Sequence, residues 1–319
     1  MKYKASESSS RVEFSSLLLA VFLLVFPSLA LADTYQQGRH VEPAYEGWRP
    51  NPDGTFSFMF GYMNENWSEE PNAAIGDNNS FSPGDADRGQ PTHFLPRRNR
   101  FTFEVPVPAD WGDKELEWSL TVNGVTKVAY GTLDRDYVVD NVVIASETGS
   151  LGAGTSSPES RANIPPTVEV QGDRVGGEVI RTVRVGEPLL LTAKVEDDGL
   201  PQARSLAPFA GNSTAAKSRL LRPPVQITVG KINGLFLSWN VYRGEGEVTF
   251  DPPQSKPWED TRTTANSPWG AHWTPPVIPE DGMIDVNVTF DKPGTYVLWA
   301  RADDGGLYHD EYVTVNVLP

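Results

Sequence analysis

The sequence predicts an all-β chain of two antiparallel β-sandwich domains, the second carrying two long loop insertions. Three observations predict it. Short runs of alternating, β-branched and aromatic residues recur along the chain, separated by clusters of Gly, Pro, Asn and Asp. Amphipathic helical periodicity is nearly missing; 27 prolines and 28 glycines supply turns rather than disorder, because the 39% hydrophobic content is that of folded proteins. At roughly 150 residues per domain, the length accommodates two cores once a targeting segment is removed.

Residues 1–32 read as a secretory signal. Lys2, Lys4 and Arg11 precede an apolar run from Leu17 to Leu31, and Ala30-Leu31-Ala32 offers the small residues a signal peptidase needs, so cleavage is expected before Asp33. The run contains Pro27 and is shorter than the roughly 20 apolar residues of a spanning helix. No later stretch is apolar enough to span, so no transmembrane segment is expected after cleavage. The expected address is periplasmic, cell-surface or extracellular. Cysteine is absent, which excludes disulfides, thiol catalysis and a lipid-bearing cysteine. Removing the signal takes away three bases and two acids, so the net charge moves from −15 to −16. That sign argues against nucleic acid and anionic membranes as partners.

The first expected domain is 33–145, with strands at Thr55 to Tyr62, Arg100 to Val107, Leu116 to Val122, Thr126 to Thr132 and Tyr137 to Ala145. Asn123-Gly124 marks a two-residue hairpin, since both residues tolerate positive φ. Residues 146–163 (SETGSLGAGTSSPESRAN) are too poor in apolar groups to pack and read as a flexible linker. In the second domain, 164–319, strands are expected at Thr167 to Gln171, Arg181 to Val185, Leu189 to Val195, Leu235 to Tyr242, Glu247 to Phe250, Met283 to Phe290, Thr295 to Ala302 and Tyr312 to Val317. Two stretches break this rhythm. Gly199 to Gly234 carries Arg204, Lys217, Arg219, Arg222 and Lys231, and Pro252 to Gly282 carries Trp258, Trp269 and Trp273 among prolines. Loops this long are usually either functional or disordered.

From Ile164 onward the chain reads NIPPTVEV, VRVGEPLLLTAKVEDDG, LFLSWNVYRG and KPGTYVLWARADDGG. This half resembles the immunoglobulin-like and PKD-like β-sandwich modules of secreted bacterial proteins. The resemblance implies that Trp239 occupies the core position of strand C. It also implies that Pro293-Gly294 turns the corner before strand F and that Tyr296 hydrogen-bonds back across it. Trp239-Asn240-Val241-Tyr242 stands where true PKD repeats have WDFGDG, and both insertions are foreign to a minimal module. The first domain, with YEGWRPNPDGTFSFMFGYMNENW, resembles the opening domain of secreted proteins of similar layout. Such modules imply adhesion, spacing or ligand display.

The sharpest local features are two acidic turns, Glu196-Asp197-Asp198-Gly199 and Asp303-Asp304-Gly305-Gly306. In an immunoglobulin-like layout the first ends strand B and the second ends strand F, which brings both to one pole. Asp197, Asp198, Asp303 and Asp304 are then candidate Ca²⁺ ligands, because Ca²⁺ takes six to eight oxygens and a carboxylate cluster repels itself without a cation. Two alternatives stand beside this. The aspartates cap their own turn amides, or the bases of the first insertion neutralise them. Trp258, Trp269 and Trp273 either stack on sugars or anchor a partner, or they fold back over their own sandwich.

Enzymatic signals are sparse. His40, His93, His272 and His309 show no zinc-ligand spacing, and neither a Gly-x-Ser-x-Gly elbow nor a phosphate-binding glycine loop is present. With 42 acids, no carboxylate pair singles itself out for glycoside hydrolysis without geometry. The expected function is a secreted or periplasmic, non-catalytic interaction module that presents its insertions to a protein or envelope polysaccharide, with Ca²⁺ the one candidate cofactor. Carbohydrate binding through the Trp-rich insertion, and a hydrolase using clustered carboxylates, are the alternatives.

Overall fold

A computed structural model describes residues 36–148, 157–202, 234–254 and 278–319. The signal segment, the five bases of the first insertion and the three tryptophans of the second lie outside them. Strand makes up 51% and helix 7%, so the fold is all-β.

In the first lobe, β1 (Val41–Pro50), β2 (Phe56–Asn64) and β4 (Arg97–Val107) form one antiparallel sheet, ordered β1-β2-β4. The other sheet joins β3 (Asn79–Ser82), β5 (Leu116–Val122) and β6 (Val125–Gly131) in the order β3-β5-β6. The alternation of LEWSLTV decides which face of β5 is buried: Leu116, Trp118, Leu120 and Val122 point inward. There they meet Phe60 and Phe103 of the opposite sheet, and Phe81 stacks on Trp118 with centroids 5.7 Å apart. Trp118 donates its indole N–H to Asn79 Oδ1 at 2.9 Å, so the ring is buried without losing a hydrogen bond. The hairpin forms as its sequence specifies, with Asn123 and Gly124 at φ 50° and 75°.

Tyr137 to Ala145 is not a strand. Arg135–Tyr137 is a 3-10 turn and Asn141–Thr148 is a helix, α1. The β-branched Val142, Val143 and Ile144 suggest a strand, but Asp140 overrides them by accepting the Val143 N–H at 2.9 Å, as an N-cap does. Within 146–163, a second helix, α2 (Pro158–Ala162), is started by a capping box between Ser157 and Ser160.

The second lobe contains β7 (Thr167–Val170), β8 (Arg174–Val175), β9 (Glu178–Arg184), β10 (Leu189–Glu196), β11 (Phe236–Arg243), β12 (Val248–Asp251), β13 (Met283–Phe290), β14 (Gly294–Asp303) and β15 (Tyr308–Leu318). Sheet β12-β13-β10-β7 shares a core with sheet β11-β14-β15-β9-β8. With β7 lettered A, β10 to β15 lettered B to G, and β8 and β9 set aside, the first sheet is D-E-B-A and the second runs C-F-G before β9, parallel to β15, and β8 extend it, so the constant-type immunoglobulin order carries two added edge strands. Trp239, 1% exposed, fills the expected core position. The corner also forms, with Tyr296 Oη donating to Lys292 O at 3.0 Å.

Residues 36–319 constitute one compact unit because the lobes are clasped. The carbonyl of Tyr242 on β11 accepts the N–H groups of Thr92 (3.1 Å) and His93 (3.2 Å). Arg243 forks onto Asp87 at 2.7 and 3.0 Å and also reaches Gln90 O. Beneath the clasp, Arg301 pairs with Asp310 at 2.8 Å and lies over the rings of Tyr308 and Trp299. Tyr308 Oη donates to Phe101 O at 2.7 Å. Phe101 has φ 47°, a left-handed conformation unusual for a bulky residue. The contacts from Tyr308 and Arg301 hold it there.

Candidate functional site

Strands β10 and β14 end at Glu196 and Asp303, and each opens into one of the acidic turns. Within each turn the carboxylates cap backbone amides. Asp197 Oδ2 accepts the Gly199 N–H at 2.9 Å and Asp198 Oδ1 accepts the Leu200 N–H at 2.8 Å. Asp303 Oδ1 accepts the Gly305 N–H at 2.7 Å, while Asp304 Oδ1 accepts those of Gly306 (2.6 Å) and Leu307 (2.7 Å). Two consecutive residues leaving α2 tie the turns together. Asn163 Nδ2 donates to Asp304 Oδ2 at 3.2 Å, and the Ile164 N–H donates to Asp198 Oδ2 at 3.1 Å. The turns therefore share one pole, and the entry of the second lobe runs between them.

Both stems of the first insertion are fixed at this pole. The Gln202 N–H donates to Glu159 Oε1 at 2.6 Å on one side, and the Gly234 N–H donates to Asp304 O at 2.7 Å on the other.

Burial separates the four aspartates. Asp304 has no exposed surface and Asp303 is buried, whereas Asp197 is half-buried and Asp198 exposed. Loss of solvation pushes the Asp304 carboxyl up to about 7; the Leu307 and Gly306 amides oppose the rise and Asp303 reinforces it. Asp197 is raised too, again chiefly by burial, with the Gly199 amide opposing and Asp198 adding repulsion. Two oxygens keep no partner: Asp197 Oδ1 and Asn163 Oδ1 are both buried and accept no hydrogen bond. The turn amides, together with the Asn163 carboxamide, the Ile164 N–H and the two stem contacts, account for the other contacts described at the pole but leave these two acceptors unsatisfied.

Among the described residues, one group of three acid or imidazole side chains has its ligand atoms within 4.8 Å of one another: His40, Glu42 and Glu65 in the first lobe. There the charges are already balanced. Lys127 pairs with Glu42 at 2.9 Å and Arg39 with Glu65 at 2.8 Å, and the Glu42 carboxyl is held low first by Lys127 and then by His40.

A groove of about 800 Å³ runs along the lobe junction, with Tyr242, Tyr308 and Tyr312 in its wall. The Tyr242 and Tyr312 rings meet at 4.8 Å. Burial raises all three phenols, and two already donate within the protein, Tyr242 to Gly89 O and Tyr308 to Phe101 O. Four of the five acids in the groove wall are paired, Glu104 with Arg49, Glu311 with Arg174, Asp87 with Arg243 and Asp310 with Arg301, while Glu178 is exposed. No helix among the described residues is long and apolar enough to cross a membrane.

Sequence reasoning locates both acidic turns but misses Asn163, Ile164 and the clasp of residues 87–93. The signal for Asn163 was its place just before the Ile-Pro-Pro that opens the second lobe. Trp258, Trp269 and Trp273 lie outside the described residues, as do the five bases of the first insertion.

No family model and no curated protein matches the chain. Solved structures similar to it include a conjugative transposon lipoprotein from Bacteroides eggerthii, at 13% identity over 48% of this chain and 97% of that one, with a TM-score of 0.24. Domains 4 and 5 of the S-layer protein SbsC are similar at 10% identity over 88% of this chain and 98% of theirs (TM-score 0.23). The D0-D1 domain of intimin is similar at 10% identity over 87% and 98% (TM-score 0.23). Scores this low assign neither fold nor function.

Proposed function

We propose that the chain is an exported, non-catalytic interaction module: a two-lobe β platform that presents its two insertions to a protein or envelope-polymer partner at or beyond the cell surface. Export rests on the signal features of residues 1–32. The observation that carries the binding role is the clasp. Its bidentate Arg243 contact, the twice-bonded Tyr242 carbonyl and the Arg301 and Tyr308 donors to Phe101 O join the two lobes into one body, from which both insertions leave. A fixed scaffold holding long loops is how binding surfaces are commonly built. Binding over catalysis is supported by the guanidiniums that neutralise four of the groove's five acids, since a hydrolase would keep two carboxyls free as proton donor and nucleophile.

Deleting residues 257–276 keeps Gln254, which accepts the Trp239 N–H at 3.0 Å, and so spares the second lobe. The expected result is loss of the envelope partner recovered by cross-linking, with cooperative melting retained. Unchanged recovery counts against the reading. A second reading, carbohydrate binding, rests on three indoles within residues 258–273. A glycan array comparing the chain with its Trp258→Ala, Trp269→Ala, Trp273→Ala variant decides it, and no glycan retained by the unmodified chain ends it.

A further inference from the structure

The geometry of the acidic pole points to a Ca²⁺ site, and we propose that Asn163 Oδ1, Asp197 Oδ1 and the Asp304 carboxylate are its protein ligands, with Asp198 on the solvent side. The acidic turns alone would not carry this, since aspartates beside glycines cap their own amides in many loops. Asn163 carries it. The residue is only 7% exposed; its Nδ2 faces the Asp304 carboxylate at 3.2 Å, and its Oδ1 is buried without a donor. Its backbone is fixed, because the Asn163 N–H donates to Glu159 O at 3.0 Å at the end of α2. The carboxamide is therefore held against the acids, and its oxygen has nothing to accept from.

The second unpartnered atom is also an oxygen, Asp197 Oδ1. Both orphans are acceptors, one on the residue whose Nδ2 faces a fully buried carboxylate and the other in the neighbouring turn, so each lacks a positive partner rather than a further acceptor. An oxygen-only set that mixes carboxylate with carboxamide suits a hard cation of flexible geometry. Ca²⁺ fits better than Mg²⁺, which demands near-ideal octahedral coordination and gives up its waters reluctantly. The turn acids do not form a three-carboxylate group within 4.8 Å, so the carboxamide, and waters on the Asp198 side, complete the shell. The cation site is independent of partner binding: failure of either leaves the other intact.

The test titrates CaCl₂ into EDTA-treated, dialysed protein at about pH 8, above the value of about 7 to which burial raises the Asp304 carboxyl, and follows melting temperature and binding heat. The expected result is one bound ion and a melting temperature that climbs with CaCl₂ up to about 5 mM, beyond the range of extracellular Ca²⁺ modules, with a smaller climb for MgCl₂. Asn163→Ala and Asp197→Asn should each weaken Ca²⁺ binding by about tenfold or more, and Asn163→Asp should restore it. Glu65→Gln, at the His40 group, should leave it unchanged. If Asn163→Ala does not fold, by circular dichroism, Asp197→Asn decides alone. Folded protein giving neither heat nor a melting shift overturns the proposal and leaves a pole satisfied by water. Binding that survives Asp197→Asn, or is lost in Glu65→Gln, also overturns it.

Discussion

The turns Asp197-Asp198-Gly199 and Asp303-Asp304-Gly305 share three letters and a place at the end of a strand, yet the first is half-open, with Asp198 and Gly199 exposed, and the other is sealed. The segment downstream of each turn makes the difference. After Gly305 the chain turns straight into β15, and Leu307, 2% exposed, inserts beside Met59, Phe101 and Ile144 in the small core at the lobe junction. That insertion pulls Asp304 under cover. After Gly199 no described strand intervenes before β11, and Asp198 stays at the surface. A tripeptide specifies a turn, whereas burial, and with it the chemistry of the carboxylate, comes from the neighbouring lobe.

The contrast breaks most visibly at Asp304. Asp304→Ala strips the partner from the Gly306 and Leu307 amides and from the Asn163 carboxamide in a site closed to water. At about 1–3 kcal/mol for each buried group left unpaired, and with partial relaxation, urea unfolding should show a loss of about 3–5 kcal/mol. Asp304→Asn keeps an acceptor for the two amides and should lose much less. Equal losses would mean that charge, not acceptor geometry, is what the site requires.

The next effect is pH dependence, measured in EDTA so that no divalent ion competes. The folded Asp304 carboxyl sits at about 7 and an unfolded one at about 3.9, so between these values the native state holds a proton that the unfolded state has released. Its contribution is thus fully present below about pH 4 and is lost as pH rises through about 7. Relative to Asp304→Asn, the unmodified chain should lose about 4 kcal/mol between pH 4 and 8, at about 1.4 kcal/mol for each pH unit between the two values. A flat difference would contradict the burial of this group. The smallest effect belongs to Asp198→Ala, where two hydrogen bonds are lost at an exposed site and about 1 kcal/mol or less should disappear.

The second lobe was largely legible in its sequence, because buried strands such as LLLTAKV and YVLWARA print their period directly and the corner has its own signature. The first lobe was less so. β1 carries Pro43 and a register shift between Tyr45 and Gly47, which blur its alternation, and β3 is four residues long. Helix α1 was hidden behind three β-branched residues, although the Asp140 that starts it was in plain view. The clasp could not be read at all. Asp87, Gln90 and Arg243 look like ordinary loop and strand-end residues until tertiary structure brings them together across 153 and 156 positions. The pole was half legible: the turns announced themselves, but the Asn163 carboxamide that joins them belongs to a segment read as linker.

Hydrogen exchange tests most directly the claim that burial at the lobe junction, not the turn motif, distinguishes the two acidic corners. In EDTA, the Gly306 and Leu307 amides, bonded to a carboxylate with no exposed surface, should be protected nearly to the level of global unfolding, while those of Gly199 and Leu200 exchange by local opening. Equally fast exchange in both turns would contradict the account.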